Sequence, residues 1–189
     1  YGATVEEIFG DLADLRAIYG TDANRFSPGA IGVFSYLNKI ALEGGTRYPY
    51  QEGKPATNTM TAEALLMRQY LGWARNDQRL VAGCNWLIQP ANLVNFNRDG
   101  ARNVYYWYYA TQVCRHMEGK HWKKWNEVMR QAVPDEQVKR GREAGSWPPA
   151  KDDLFDVSGG RLYVTCLSIY MLEVYYRHLP IYSGVYLDR

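Results

Sequence analysis

The chain has 189 residues, 47% hydrophobic and 22% charged, the balance of one globular domain with a real core. Its net charge of +2 is spread along the chain with both signs mixed. No Lys/Arg block that would track phosphates is present, so nucleic acid is excluded as a partner. Cys84, Cys114 and Cys166 are far apart and each sits in an apolar segment, so they read as small core residues rather than a disulfide framework. No run of about 18 apolar residues occurs, so no membrane-spanning segment is expected. The 14% aromatic content is unusual: it includes 16 Tyr and 6 Trp, and they cluster. Such side chains combine a large apolar body with one polar tip and suit pockets and tight helix packing.

Thr4-Val5-Glu6-Glu7 forms a capping box, and Ile8, Leu12, Leu15 and Ile18 follow at helical spacing up to Gly20. Ser27-Pro28 opens a second helix as N-cap and first helical position. Its apolar stripe is Ile31, Phe34, Leu37 and Leu42, and it ends near Gly44-Gly45. A Gly/Pro-rich turn region follows, with Tyr48 and Tyr50 as candidate anchors. Thr59 to Trp73 is strongly apolar, and Leu80 to Gln89 is its hairpin partner, stopped by Pro90. The segment from Ala91 to Arg102 is a polar loop.

Asn103 to Ala132 is the most telling stretch. Tyr105, Tyr106, Trp107, Tyr108 and Tyr109 are consecutive, which predicts a helix buried on every side. Gly119 interrupts it. Trp122, Trp125, Val128 and Met129 then recur at three- and four-residue steps, with Lys123, Lys124, Asn126 and Glu127 between them, so the second helix has one wet side. Pro134-Asp135-Glu136 reads as a fresh short helix start on the surface. Gly141 to Gly160 reads as a long loop in which Trp147 plugs back into the fold. Arg161 to Leu179 closes the set as another helix apolar nearly all round. Buried helices therefore alternate with wetter ones. The expectation is an all-α chain of repeated helical hairpins, forming an α/α toroid or an open part of one. Residues 1–189 are taken as a single such domain, and as a fragment of a longer chain because the sequence starts at Tyr1 rather than Met.

The order of segments from Thr61 to Trp73, Tyr105 to Gln112, Trp122 to Glu127, Gly145-Ser146-Trp147 and Gly159 to Pro180 resembles the prenyltransferase and squalene-oxidase repeat proteins. These belong with the terpenoid cyclase and protein prenyltransferase α/α-toroid superfamily, and the likeness is to bacterial cyclase-like proteins. It spans roughly Gly44 to Tyr182. The resemblance implies a repeat signature in which a Gln caps a helix end and the Trp of a Gly-x-Trp stacks on it. Gly145 and Trp147 supply the second half here, and Gln137 stands further upstream than the pattern has it. The Asp-x-Asp-Asp acid motif of squalene-type cyclases is absent, and no zinc-site context fits the three cysteines. A closed toroid also needs more helices than the chain offers.

Asp152, Asp153 and Asp156 match the Asp-Asp-x-x-Asp pattern that holds Mg²⁺ against a diphosphate in another terpene synthase class. In a Gly/Pro loop the bland reading is a solvated acidic turn. His116, Glu118 and His121 straddle Gly119, where a wet hairpin turn is the reading preferred over a metal site. The aromatic set is the leading candidate for a ligand cavity: Tyr105, Tyr106, Trp107, Tyr109, Tyr163 and Tyr170, weighed against plain core packing. Asp99, Arg102 and Arg161 precede inward helices and are candidates for a cavity mouth, or for helix caps. No cofactor is implied. Two functions follow. One is a non-catalytic helical module that binds a protein partner or another copy of itself. The other, implied by the resemblance, is an enzyme holding an isoprenoid substrate in an aromatic-lined cavity.

Overall fold

The computed structural model describes residues 28–97, 102–151 and 154–177. Among them the chain is all-α, with no named strand. The helices are α1 Pro28–Ile40, α2 Asn58–Tyr70, α3 Gln78–Leu87, α4 Val104–Met117, α5 Gly119–Glu136, α6 Leu154–Leu172 and the short α7 Val174–Arg177. The capping box at Thr4 and Ser27 lie outside the described residues.

α4 is the centre. It packs most heavily on α2, then on α6 and α5, and also touches α3. The consecutive aromatics explain this, because a helix with no polar side must be covered all round. Asn103 caps it by accepting the Tyr106 N–H at 2.7 Å. Tyr106, Ala110 and Val113 are buried on one side of it, Trp107 and Thr111 on another. The helix stops at Glu118, whose φ of 54° and ψ of −158° break the helical path. α5 then carries its buried residues His121, Trp125, Met129 and Val133 at four-residue steps, and Lys123, Lys124 and Glu127 face water. The Trp125 indole N–H donates to Thr111 Oγ1 at 2.9 Å, and that hydroxyl donates to the Trp107 carbonyl at 2.6 Å. The two helices are thus joined by hydrogen bonds as well as by burial.

α2 and α3 make the preceding hairpin. Thr57 caps α2 by accepting from the Met60 N–H, and Asp77 caps α3 by accepting from the Arg79 N–H. Gly83 lets α3 come close. A Cβ there would sit 2.7 Å from Leu65 Cδ1 and 2.9 Å from the Thr46 carbonyl oxygen. Of the two tyrosines expected to anchor the turn before α2, Tyr48 is fully buried and Tyr50 is exposed. Tyr48 donates to the Gly45 carbonyl at 3.0 Å and accepts from Arg68 Nε at 3.1 Å. The Arg68 guanidinium, itself buried, also donates to Asn38 Oδ1 at 2.8 Å and lies over Trp73, 4.7 Å from its ring centroid. This arginine therefore fastens α1 and the turn to α2.

Four expectations are corrected. α1 ends at Ile40, so Leu42 falls in the turn that follows and is partly exposed. Pro134 starts no new helix: α5 runs through it to Glu136. The proline only forgoes the hydrogen bond that its missing N–H would have made to the carbonyl four residues earlier. The loop after α5 is shorter than expected because α6 begins at Leu154, with its path bent at Gly160, where φ is 64° and ψ is −166°. Finally, α6 is not covered all round. Val157, Leu162, Ile169 and Tyr170 are exposed along it.

The link from α5 to α6 folds back on itself. Val138 and Gly145–Ser146 exchange backbone hydrogen bonds of 2.8 and 2.9 Å, and Gln137 Nε2 donates to the Gly145 carbonyl at 3.0 Å. Gly145 has a φ of 86°, a left-handed conformation that glycine adopts without strain. Trp147 then enters the core, only 2% exposed. Its indole N–H donates to the Val133 carbonyl on α5 at 2.6 Å, and its backbone N–H donates to Thr165 Oγ1 on α6 at 3.1 Å. One residue ties two successive helices, through its indole to α5 and its backbone to α6.

Candidate functional site

α2, α4 and α6 lie side by side, and a row of tyrosines runs across them. The connection can be followed side chain by side chain. Glu63 on α2 is hydrogen-bonded to the Tyr105 hydroxyl on α4. The Tyr105 and Tyr109 hydroxyl oxygens are 3.3 Å apart, and their rings meet edge to face at 4.9 Å. Tyr109 meets Tyr108 in the same way at 5.0 Å. Tyr108 lies 6.0 Å from Tyr170 on α6. Beside this series Tyr70 on α2 packs edge-on against His116 at 5.8 Å. The three α4 tyrosines are half-buried, while Met67, Tyr70 and Tyr170 are exposed. Tyrosines three and four residues apart fall on one face of a helix, which is why Tyr105, Tyr108 and Tyr109 gather on this side.

Burial sets the charge of the face. It pushes the Glu63 carboxyl above the usual glutamate range, and the hydrogen bond from Tyr105 opposes this only in part. Burial also pushes the phenols of Tyr70, Tyr105 and Tyr109 upward, so all three remain neutral near pH 7. The face therefore offers several π surfaces, several neutral hydroxyls and one carboxylate.

The residues singled out from sequence divide sharply. Tyr105, Tyr109 and Tyr170 lie on this face. Tyr163, on α6, is half-buried and packs against the core. Tyr106 and Trp107 do not lie in this row. They are 4% and 1% exposed and are buried against different neighbours, Tyr106 toward Trp125 and the Leu87 carbonyl, Trp107 toward Phe96. Five successive residues at 100° steps cover every side of a helix, so a run of five aromatics had to split this way.

Arg102 and Arg161 are engaged within the fold. Arg102 faces Glu136 Oε1 at 3.5 Å and Asp156 Oδ2 at 3.6 Å, donates to the Pro148 carbonyl and lies over the Phe96 ring. It clamps the start of α4 to the end of α5 and the start of α6. Arg161 pairs with Glu143 at 2.7 Å and donates to Ser146 Oγ at 3.2 Å, holding the folded-back link. Asp99, Asp152 and Asp153 lie outside the described residues. Asp156 is 1% exposed, in the first turn of α6, where Oδ2 accepts the Ala150 N–H at 2.9 Å. That is a buried structural carboxylate rather than part of a solvated acidic loop. Among the described residues no three His, Cys, Asp or Glu side chains converge as metal ligands would. His116 and His121 are buried rather than wet. His121 is hydrogen-bonded to Asn85 Oδ1 at 3.0 Å, and burial, then Lys120, holds its pKa below the usual histidine range.

Two shallow grooves flank the row. One, of about 390 Å³, lies at the turn between α4 and α5 and is lined by Arg75, Met117, Glu118 and His121 among others. Arg75 pairs there with Glu118 at 2.9 Å. The other, of about 280 Å³, lies between α1 and α2 against Ala30, Val33, Met67, Tyr70 and Leu71. Comparison of the chain with protein-family models, with curated proteins and with solved structures finds no match.

Glu63, Met67, Tyr70 and Tyr108 are the members of the face that sequence reading did not single out. Their signal was present. Glu63, Met67 and Tyr70 are spaced four and three apart on an otherwise apolar helix, the spacing of a single stripe.

Proposed function

We propose that this chain is a squalene cyclase/prenyltransferase-like helical repeat domain that works as a binding module rather than a catalyst, and that the tyrosine side of α2, α4 and α6 is its working face. The observation that carries this reading is the unbroken series Glu63–Tyr105–Tyr109–Tyr108–Tyr170 across three helices. Tyrosine gives large contact area at low entropic cost, and its hydroxyl tolerates both water and a partner. The candidate charged groups on the described residues, Arg102, Arg161 and Asp156, are occupied by internal contacts, which favours binding over acid catalysis. The Trp147 tie between α5 and α6 fits the repeat likeness, since it links one hairpin to the next.

A second reading, an enzyme that holds an isoprenoid chain, draws on the same aromatic rings. A photo-crosslinking benzoylphenylalanine in place of Tyr170 separates the two. On the module reading, irradiation in an extract of the source cells yields a protein adduct or a self-adduct, and Tyr70→Ala with Tyr105→Ala removes it. An adduct with a prenyl lipid in place of protein would favour the second reading. A probe that labels nothing in a folded protein would overturn both.

A further inference from the structure

Arg47 is buried without a counter-charge. It is 8% exposed, and among the described residues it forms no ion pair. Its enclosed Nε makes no hydrogen bond. Arg68 and Arg102 are treated differently: Arg68 donates to Tyr48 and Asn38, and Arg102 faces Glu136 and Asp156. Charged groups removed from water are ordinarily paired and hydrogen-bonded, because desolvation penalises the lone charge.

The local chain explains how the guanidinium is held. Leu42 and Arg47 close the turn after α1 with backbone hydrogen bonds of 2.9 and 3.4 Å. Gly83 on α3 has no Cβ, which admits the Thr46 carbonyl to that helix. Trp86 lies three residues further along α3, on the same side. The Arg47 guanidinium carbon is 3.6 Å from the centroid of its ring. The ring itself is pinned. Its indole N–H donates to Asn58 Oδ1 at 2.8 Å, Asn58 Nδ2 donates to Asn92 Oδ1 at 2.9 Å, and Asn92 Nδ2 donates to the Trp86 carbonyl at 2.8 Å. Stacking on an aromatic face offsets part of the cost of burying a guanidinium, but it offers no acceptor to the N–H groups.

We propose that Arg47, held flat on Trp86, is a binding residue for the carboxylate group of a small-molecule ligand. A guanidinium whose face is covered presents its edge, and two parallel N–H donors on that edge match the two oxygens of a carboxylate. Nε is shut off from solvent and the two Nη atoms are not, so the Nη edge is the one a ligand reaches. One guanidinium balances one negative charge. Glu43, in the same turn, counts against an anion of higher charge such as phosphate. The site lies against α3 and stands independently of the tyrosine row.

The test is a titration of the full chain with sodium acetate at constant ionic strength, followed in proton–nitrogen correlation spectra, with sodium chloride and inorganic phosphate as parallel arms. The Arg47 Nε–H and the Trp86 indole N–H are expected to shift together and to saturate with acetate. Arg47→Lys keeps the charge but loses the paired donors, and should weaken acetate binding by about tenfold. Trp86→Phe keeps a ring and loses the pin to Asn58. It should weaken binding severalfold with an unchanged helical spectrum, and it serves where the lysine variant fails to fold. Acetate shifts that do not saturate, that chloride reproduces, or that both variants leave unchanged would overturn the proposal. Phosphate binding more tightly than acetate would overturn the assignment to a carboxylate.

Discussion

α4 and α6 are both strongly apolar and opposite in circumstance. Both read from sequence as helices to be buried on all sides, α4 through its aromatic residues and α6 through its aliphatic ones. α4 has α2, α6, α5 and α3 around it, and Tyr105, Tyr108, Tyr109 and Arg115 are left half-open. α6 stands at one side of the row, and Leu162 and Val157 remain 76% and 58% exposed. A helix buries what its neighbours cover, so hydrophobicity states the need for a neighbour but not its presence.

The comparison can be broken most severely at Trp107. Truncating Trp107→Ala at the centre of α4 should cost about 3–5 kcal/mol, the range for removing a buried indole, and urea denaturation would register it as a lower midpoint or a chain that no longer folds. Trp147→Phe tests the tie that holds α6 to α5. It leaves the Val133 carbonyl without its donor and should cost about 1–3 kcal/mol, with α6 becoming the part first lost in hydrogen exchange.

Glu63→Gln tests the open stripe itself. In the folded protein this carboxyl titrates above its unfolded value, so the native state favours the protonated form. That contribution is full in acid and is lost as pH rises through the raised value. The variant should therefore melt higher than the parent at neutral pH, and the difference should vanish below about pH 4, the unfolded glutamate value. A variant that melts lower at neutral pH would show that the charge is compensated. The smallest effect is expected for Leu162→Ser on the exposed side of α6. Thermal stability should change by less than about 0.5 kcal/mol, while any concentration-dependent association through that side should weaken, as light scattering would report.

The same contrast explains what was legible in the sequence. The α4–α5 hairpin was readable because its pattern is local: a run of aromatics, an interruption at Glu118–Gly119, then a stripe at four-residue steps. Trp147 was readable as a plug because a lone indole in a polar segment has few other uses. The end of α5 was misread because Pro-Asp-Glu starts helices more often than it ends them, and its role here depends on Gln137 and Lys139 reaching back to the Pro134 carbonyl. The exposed side of α6 was illegible because exposure there is set by which helices sit beside it. Glu63 was overlooked because one glutamate in an apolar helix looks like a solvated helix former. Its interest comes from Tyr105 and Tyr109, some forty positions away and brought alongside only by packing.

The three cysteines give the chain an internal clock. Cys84 and Cys114 are fully enclosed and burial pushes both thiols upward, whereas Cys166 is partly open to solvent. Alkylating reagents attack the thiolate, so the enclosed pair can react only when α3 and α4 part. Quick modification of Cys166 would mark the intact molecule. The slow appearance of label on the other two would time how often the centre of the helix row opens.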